Sequence, residues 1–147
     1  MVTSTQVAAR SSHRPPETLF PPRALVRSEE RRMPFDPDEW RQYRARMNDR
    51  ILSADDRSIK RFFALDTDVY ARGALDARTK ELMGLVASMV LRCDDCVRYH
   101  VDRCLAEGAS AKEVTEALAI ALVVGGSITI PHMRRAFEAL DAFAAQR

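Results

Sequence analysis

The sequence predicts an all-α fold of about six helices, preceded by a segment that lacks regular structure. Apolar residues recur at spacings of three and four from Asp36 onward, helix caps precede those runs, and no run alternates between apolar and polar residues as a strand does. The chain has 147 residues, of which 46% are hydrophobic and 30% charged. This length and composition fit one globular domain and argue against a multidomain enzyme.

Residues 1–34 are predicted to be disordered or extended, and residues 35–147 to form the helical domain. The first segment holds five of the seven prolines, has no apolar period and carries six arginines against three glutamates. Met33 is an alternative start of the protein. Residues 36–147 have a net charge of −1, so the helical domain lacks the basic face that a nucleic-acid partner requires.

The apolar runs and the cysteines bear on the protein's location. The longest apolar runs, residues 82–91 and 117–131, are shorter than the ~20 residues of a membrane-spanning helix. The beginning of the chain has no signal-peptide core. The sequence therefore predicts a cytoplasmic protein without a membrane partner. The three cysteines lie within twelve residues, and an odd cluster in a reducing compartment indicates redox or metal chemistry.

The first two helices are predicted from caps and apolar spacing. Asp36-Pro37-Asp38-Glu39 supplies an N-cap, a proline at the first helical position and an acidic third position. The second helix stops near Gly73. The apolar residues at helical spacing are Trp40, Tyr43, Met47, Ile51 and Leu52 in the first helix, and Ile59, Phe62, Phe63, Leu65, Val69 and Tyr70 in the second.

The third helix is predicted over residues 77–92, with Asp76 as its cap. It is apolar almost all round from residue 82 to residue 91, which predicts that it is buried. Gly84 and Ser88, four residues apart, would let another helix approach closely.

Three further helices follow a break at residues 92–94. The fourth helix stops at Gly108, and the capping box Ser110-Ala111-Lys112-Glu113 begins the fifth. Gly125-Gly126 ends the fifth helix, and the last helix runs from about Ser127 to Ala145. Two largely apolar helices in so small a domain predict a homo-oligomer, because one small bundle cannot bury them both.

The most informative motif is the C-x-x-C pair at the start of the fourth helix. A helix N-terminus presents free N–H groups and the positive end of the dipole, both of which lower the pKa of a thiol. Cys93 and Cys96 are one turn apart, close enough for a disulfide. Because no strands flank the motif, the sequence indicates a dithiol site on an all-helical scaffold rather than a thioredoxin fold.

Glu81 and His100 are candidates for moving protons at this dithiol. His100 follows Cys96 by four residues, so it lies on the same helical face and can take the thiol proton. Glu81 precedes Cys93 by twelve residues, roughly 18 Å along one straight helix. If the chain reverses near residue 92, Glu81 can meet His100 directly or through one water. A carboxylate in an apolar helix needs such a partner.

Other interpretations of these residues remain open. The cysteine pair could reflect packing alone, and Glu81 could simply favour the start of its helix. A zinc site with His100 and Cys104 is disfavoured, because Cys96 and Cys104 lie roughly 12 Å apart on one helix. No metal or organic cofactor is expected, and Cys104 is predicted to be a buried small hydrophobe. His132 could approach the site or a neighbouring subunit, or simply pack.

Four blocks of sequence carry a resemblance to a known family: Leu75–Leu82, Arg92–His100, Gly108–Ser110 and Gly125–Gly126. Over roughly residues 60–145 the chain resembles the carboxymuconolactone decarboxylase/alkylhydroperoxidase D superfamily. The resemblance implies an all-helical domain with a helix-turn-helix core, assembled as a homotrimer or homohexamer. The decarboxylases of that superfamily lack the cysteine pair, so the pair favours the peroxidatic branch.

The peroxidatic branch implies roles for four residues. Glu81 and His100 would relay a proton from Cys96, which would attack a hydroperoxide and become a sulfenic acid. Cys93 would resolve this acid as a disulfide, and an external dithiol would reduce the pair. Some peroxidatic relatives carry a His before the second cysteine, where this chain has Asp95 after a second carboxylate, Asp94. Carboxylates beside the thiols oppose thiolate formation, although Arg92 and Arg98 could offset them.

The sequence is therefore compatible with three functions. The leading hypothesis is a cytoplasmic, homo-oligomeric, thiol-dependent hydroperoxide reductase with peroxiredoxin-type activity, whose catalytic residues are Glu81, Cys93, Cys96 and His100. The alternative enzyme is a carboxymuconolactone decarboxylase-like lyase with His100 or His132 as its base. The lyase activity would survive replacement of both cysteines. The non-catalytic alternative is a redox-sensing module whose disulfide changes oligomer packing.

Overall fold

The computed structural model describes residues 35–147, which fold into six α-helices. No strand occurs in that part of the chain, so the predicted all-α fold is confirmed. One turn of 3-10 helix, Ser127–Thr129, precedes the last α-helix. The predicted irregular segment, residues 1–34, lies outside the described residues. The helices are α1 (Pro37–Leu52), α2 (Arg57–Tyr70), α3 (Ala77–Val90), α4 (Asp94–Ala106), α5 (Ala111–Gly125) and α6 (Ile130–Ala144).

The core lies among the last four helices. Helix α3 packs against both α4 and α5, and α6 packs against α4. Helix α1 adds Trp40, whose ring lies edge-on to Phe143 with centroids 5.8 Å apart, whereas α2 buries none of its residues. Among the described residues, no helix is both long enough and apolar enough to cross a bilayer. The fully buried apolar side chains include Leu85, Met89, Val97, Val101, Val114, Leu118 and Phe143.

The predicted caps fix where the helices begin. The Asp36 carboxylate accepts hydrogen bonds from the backbone N–H groups of Asp38 and Glu39 at the start of α1. Ser110 and Glu113 form the reciprocal capping box of α5. Because side chains satisfy these otherwise free N–H groups, both helices start at the residues predicted from sequence.

The prediction that α3 is buried all round is wrong for one of its faces. Leu85 and Met89 have no exposed surface, but Met83 is 58% exposed and Leu91 76% exposed. The apolar pattern identifies residues that avoid water, but it does not show whether other residues of the same chain pack over them. Further exposed apolar side chains lie on α2 and α5: Phe62, Leu65, Val69, Ile120, Val123 and Val124.

Candidate active site

A tight turn reverses the chain between α3 and α4. The Arg92 N–H donates to the carbonyl of Met89 and the Cys93 N–H to that of Ser88, both at 3.0 Å, which closes α3 as a Schellman motif. Arg92 adopts the left-handed conformation, with φ of 60°, as does Gly108 after α4. Cys93 thus completes the end of α3 and also caps the start of α4.

The two cysteines of the motif form a disulfide at the N-terminus of α4. The Cα atoms of Cys93 and Cys96 are 5.3 Å apart. As N-cap, Cys93 Sγ accepts a hydrogen bond from the backbone N–H of Cys96 at 3.4 Å. Cys93 is half-buried and Cys96 is exposed, so small molecules can reach the pair in the described chain. After reduction, the helix N-terminus stabilises a thiolate here.

The reversal places Glu81 against His100, which is the direct contact considered from the sequence. Glu81 Oε2 lies 2.8 Å from His100 Nδ1, and the two residues are only 2% and 7% exposed. Glu81 Oε1 lies 3.6 Å from Nε of Arg103. A carboxylate removed from water needs such partners. Because Nδ1 faces Glu81, Nε2 is the ring nitrogen of His100 that can exchange a proton at the site.

Gly84 makes room for the His100 ring on the surface of α3. A Cβ atom at Gly84 would lie 2.5 Å from Cε1 of His100 and 2.5 Å from the hydroxyl oxygen of Tyr70. The rings of Tyr70 and Tyr99 lie beside the imidazole, with centroids 5.4 and 5.1 Å from its own. Burial, then the charge of Glu81, raises the pKa of both phenols, which therefore stay neutral.

Replacing Gly84 by Ala should displace His100 from Glu81. Overpacking of a buried site costs about 1–3 kcal/mol, which outweighs the ~1 kcal/mol by which Ala is the better helix former. We expect a lower free energy of unfolding in urea and a changed imidazole NMR signal of His100. The matched control is Gly73→Ala, whose Cβ would meet only Lys80 Nζ at 3.8 Å. Equal behaviour of the two variants would contradict this account of Gly84.

Each carboxylate between the cysteines has a partner on another helix, and of these partners the sequence had suggested only His132, as a side chain that could approach the site. Asp94 lies 2.7 Å from Nδ1 of His132 and 2.7 Å from Nε of Arg135, both on α6. Asp95 accepts a hydrogen bond of 2.8 Å from the Trp40 indole N–H on α1. Burial alone would raise the pKa of the Asp94 carboxyl, but the hydrogen bonds and charges of Arg135 and His132 hold it below its usual range.

The third cysteine takes no part in the dithiol. Cys104 is free and has no exposed surface, which confirms that it packs as a small hydrophobe. Burial, and then the charge of Glu81, raises the pKa of its thiol to about 12, so it stays protonated near neutral pH. Within residues 35–147, no three His, Cys, Asp or Glu side chains are grouped so that they could hold a metal ion.

A cleft of about 530 Å³ opens on the Glu81 side of the site. Tyr70, Tyr99 and Arg103 line it together with the Glu81 carboxylate. A second cleft, of about 350 Å³, lies between α1 and α2 and has Asp95 among its lining residues. One cleft therefore reaches Glu81, and the other reaches Asp95 between the two cysteines.

The sequence model of the carboxymuconolactone decarboxylase family matches residues 57–140, more than half of the chain. The chain belongs to the carboxymuconolactone decarboxylase family. The matched region contains the C-x-x-C pair together with Glu81 and His100. A similar curated protein is uncharacterized protein 4 in the cox locus of Paracoccus denitrificans. It is 35% identical over 80 residues, which are 54% of this chain and 72% of that protein.

Solved structures of carboxymuconolactone decarboxylase family proteins share the fold. TM1620 from Thermotoga maritima aligns with a TM-score of 0.70 and 56% identity over 74% of this chain and 92% of that one. Its name connects that protein with an antioxidative response. Apo-lpg0406 from Legionella pneumophila aligns with a TM-score of 0.62 and 25% identity over 74% of this chain and 94% of that one.

Proposed function

We propose that this family member is a thiol-dependent hydroperoxide reductase that uses Cys93 and Cys96 as its redox dithiol. The observation that carries the proposal is the buried contact between Glu81 and His100, one helical turn from a cysteine pair at a helix N-terminus. A buried acid–imidazole pair beside an accessible dithiol supplies both proton transfer and two-electron chemistry. The antioxidative association of the Thermotoga maritima relative supports the same assignment.

The first step oxidises Cys96. His100 accepts the Cys96 proton through Nε2, and the Glu81 carboxylate stabilises the resulting imidazolium. The thiolate attacks the hydroperoxide ROOH, so that a sulfur–oxygen bond forms and the oxygen–oxygen bond breaks. The proton returns from His100 to the leaving oxygen. The products are a sulfenic acid on Cys96 and the alcohol ROH.

The second and third steps restore the dithiol. The Cys93 thiol attacks the sulfenic sulfur of Cys96, which forms the disulfide and releases water. An external dithiol then attacks this disulfide and leaves as its own cyclic disulfide, so both cysteines regain their protons. The sum is one ROOH and one dithiol converted into ROH, water and one disulfide. No metal or organic cofactor is needed to balance these steps.

Two observations favour Cys96 rather than Cys93 as the peroxide-attacking thiol. Cys96 lies four residues before His100 on the same helix, so both side chains project from one face of α4. Cys96 is exposed, whereas Cys93 is half-buried and tied into the Schellman turn. The more accessible sulfur is the one that a bulky hydroperoxide can reach.

The proposal includes assembly as a homotrimer or homohexamer. The exposed apolar side chains of α2 and α5 support this part, with Phe62 69% exposed and Val123 85% exposed. Large apolar side chains that remain this exposed are typical of an interface between subunits. Sedimentation of the full chain should therefore give a mass that is three or six times that of one chain, and a monomer would contradict this part.

The test of the proposed activity is consumption of cumene hydroperoxide by the full chain, with dithiothreitol as reductant. We expect catalytic turnover that disappears in the Cys93→Ser/Cys96→Ser double variant. Decarboxylation of a lactone acid by that double variant would instead establish the lyase. Disulfide formation that changes the oligomer without peroxide turnover would establish a redox sensor, and either outcome would overturn the reductase.

A further inference from the structure

We propose that Arg135 and His132 of α6 neutralise Asp94 and thereby stabilise the thiolate of the reduced Cys93–Cys96 pair. The inference extends the proposed function, because it names positioning residues that tune the same dithiol. It concerns the redox and acid–base properties of the pair, which are measurable whether or not the protein reduces peroxides.

The geometry is that of a carboxylate held on both of its oxygens. Asp94 Oδ1 lies 2.7 Å from Nδ1 of His132, and Oδ2 lies 2.7 Å from Nε of Arg135. Nδ1 of His132 is also 3.0 Å from Nη2 of Arg135. A ring nitrogen cannot donate to one group and accept from the other at the same time. The short contact with a carboxylate assigns the proton to Nδ1, so that His132 donates to Asp94 Oδ1 while Arg135 forms an ion pair with Oδ2.

The position of Asp94 connects the cluster of Asp94, His132 and Arg135 to the sulfur chemistry. Asp94 is the first helical residue of α4 and directly follows Cys93, so its carboxylate is a fixed negative charge at the dithiol. A nearby negative charge disfavours a thiolate, and a nearby positive charge favours it. With Arg135 paired to it, Asp94 adds no net charge. The cluster also counters the electrostatic penalty that the sequence predicted for this motif.

Partial burial makes the cluster effective. The side chains of His132, Arg135 and Asp94 are 18%, 29% and 31% exposed, so water screens their charges less than it screens fully exposed ones. The other charged or titratable groups near the turn are Asp95, which is bound to Trp40, and Arg92, Arg98 and His100. None of these groups comes from α6, so changes on that helix isolate the contribution of the cluster.

The positive charge of Arg135 is proposed to stabilise the thiolate of the reduced pair, and this sets the direction of each expected change. Removing the charge of Arg135 leaves Asp94 unneutralised, which destabilises the thiolate. The acid dissociation constant of the first thiol should fall about tenfold. At a pH above the pKa of that thiol, the redox equilibrium with dithiothreitol should move toward the disulfide by up to the same factor. Asp94→Asn should move both quantities in the opposite direction.

The experiment titrates the ultraviolet absorbance of the thiolate in the reduced full chain and measures the dithiothreitol equilibrium by thiol alkylation. Arg135→Gln keeps a polar side chain at this position and removes its charge. Arg134→Gln, an exposed neighbour on α6, is the matched control. His132→Gln should have a smaller effect than Arg135→Gln, because only the guanidinium is charged at every pH.

The double variant Asp94→Asn/Arg135→Gln separates charge from architecture. If the cluster acts through charge, the two changes cancel, and both measurements return close to the wild-type values. If the cluster only anchors the turn to α6, the double variant departs from wild type at least as far as either single variant, which would overturn the inference. Equal behaviour of Arg135→Gln and Arg134→Gln would overturn it as well. If the predicted shifts in thiol pKa and in the dithiothreitol equilibrium are observed but the protein does not turn over peroxide, only the proposed reductase activity is contradicted.

Discussion

Replacing Cys96 by Ser should abolish reduction of cumene hydroperoxide, whereas replacing Cys93 should leave one reaction for each reduced chain. Without Cys96, the remaining thiols are poorly placed to attack the hydroperoxide: Cys93 is half-buried and held in the Schellman turn, and Cys104 is fully buried with its pKa raised to about 12. Loss of a nucleophile typically removes about 10³-fold or more of an enzyme's rate. Without Cys93, the sulfenic acid forms but has no partner for a disulfide within the turn.

The measurement is hydroperoxide consumption in a single turnover by the reduced Cys96→Ser and Cys93→Ser variants. For Cys93→Ser we expect consumption of one hydroperoxide and a sulfenic acid that a dimedone probe traps on Cys96. Cys104→Ser is the matched control and should behave as wild type, with any change limited to stability. Hydroperoxide consumption by Cys96→Ser at the wild-type rate would assign the attack to another group and contradict the mechanism.

Replacing Glu81 by Gln should slow peroxide reduction by about 10²–10⁴-fold, the usual range for general acid–base catalysis. Gln has almost the same shape as Glu and can still accept the hydrogen bond from His100 Nδ1. It lacks the negative charge that stabilises the imidazolium while His100 holds the thiol proton. The rate of attack should therefore fall while the helical fold is kept.

The measurement is the stopped-flow rate of hydroperoxide loss, with circular dichroism as a check on the fold. Glu116→Gln, an exposed carboxylate on α5, provides the matched control and should react at the wild-type rate. If Glu81→Gln also reacts at the wild-type rate, then Glu81 is a structural residue, and the relay has no part in the chemistry.

Local chemistry made much of the fold predictable. Caps such as Asp36 and the Ser110–Glu113 box act within a few residues, so they can be recognised along the chain. The contact between Glu81 and His100 could also be predicted from the sequence. A break before α4 implies that the chain reverses there. Such a reversal places the carboxylate of Glu81, on the apolar helix α3, beside the imidazole of His100 on α4.

The rest depends on contacts between distant parts of the chain. Nothing in the local pattern relates Asp94 to Arg135, 41 positions later, or Asp95 to Trp40, 55 positions earlier. The exposure of Met83 was not predictable either, because apolar spacing marks a face without naming the element that covers it. Such side-chain partners become visible only once the packing of α1, α4 and α6 is known.

The most direct test of the account is the stoichiometry of one turnover by the reduced wild-type chain. Mixing it with cumene hydroperoxide should consume one hydroperoxide for every two thiols lost. Peptide mapping by mass spectrometry should then find Cys93 joined to Cys96 and Cys104 still free. Loss of hydroperoxide without loss of these two thiols, or no loss at all, would contradict the claim that this turn is a peroxide-reducing site.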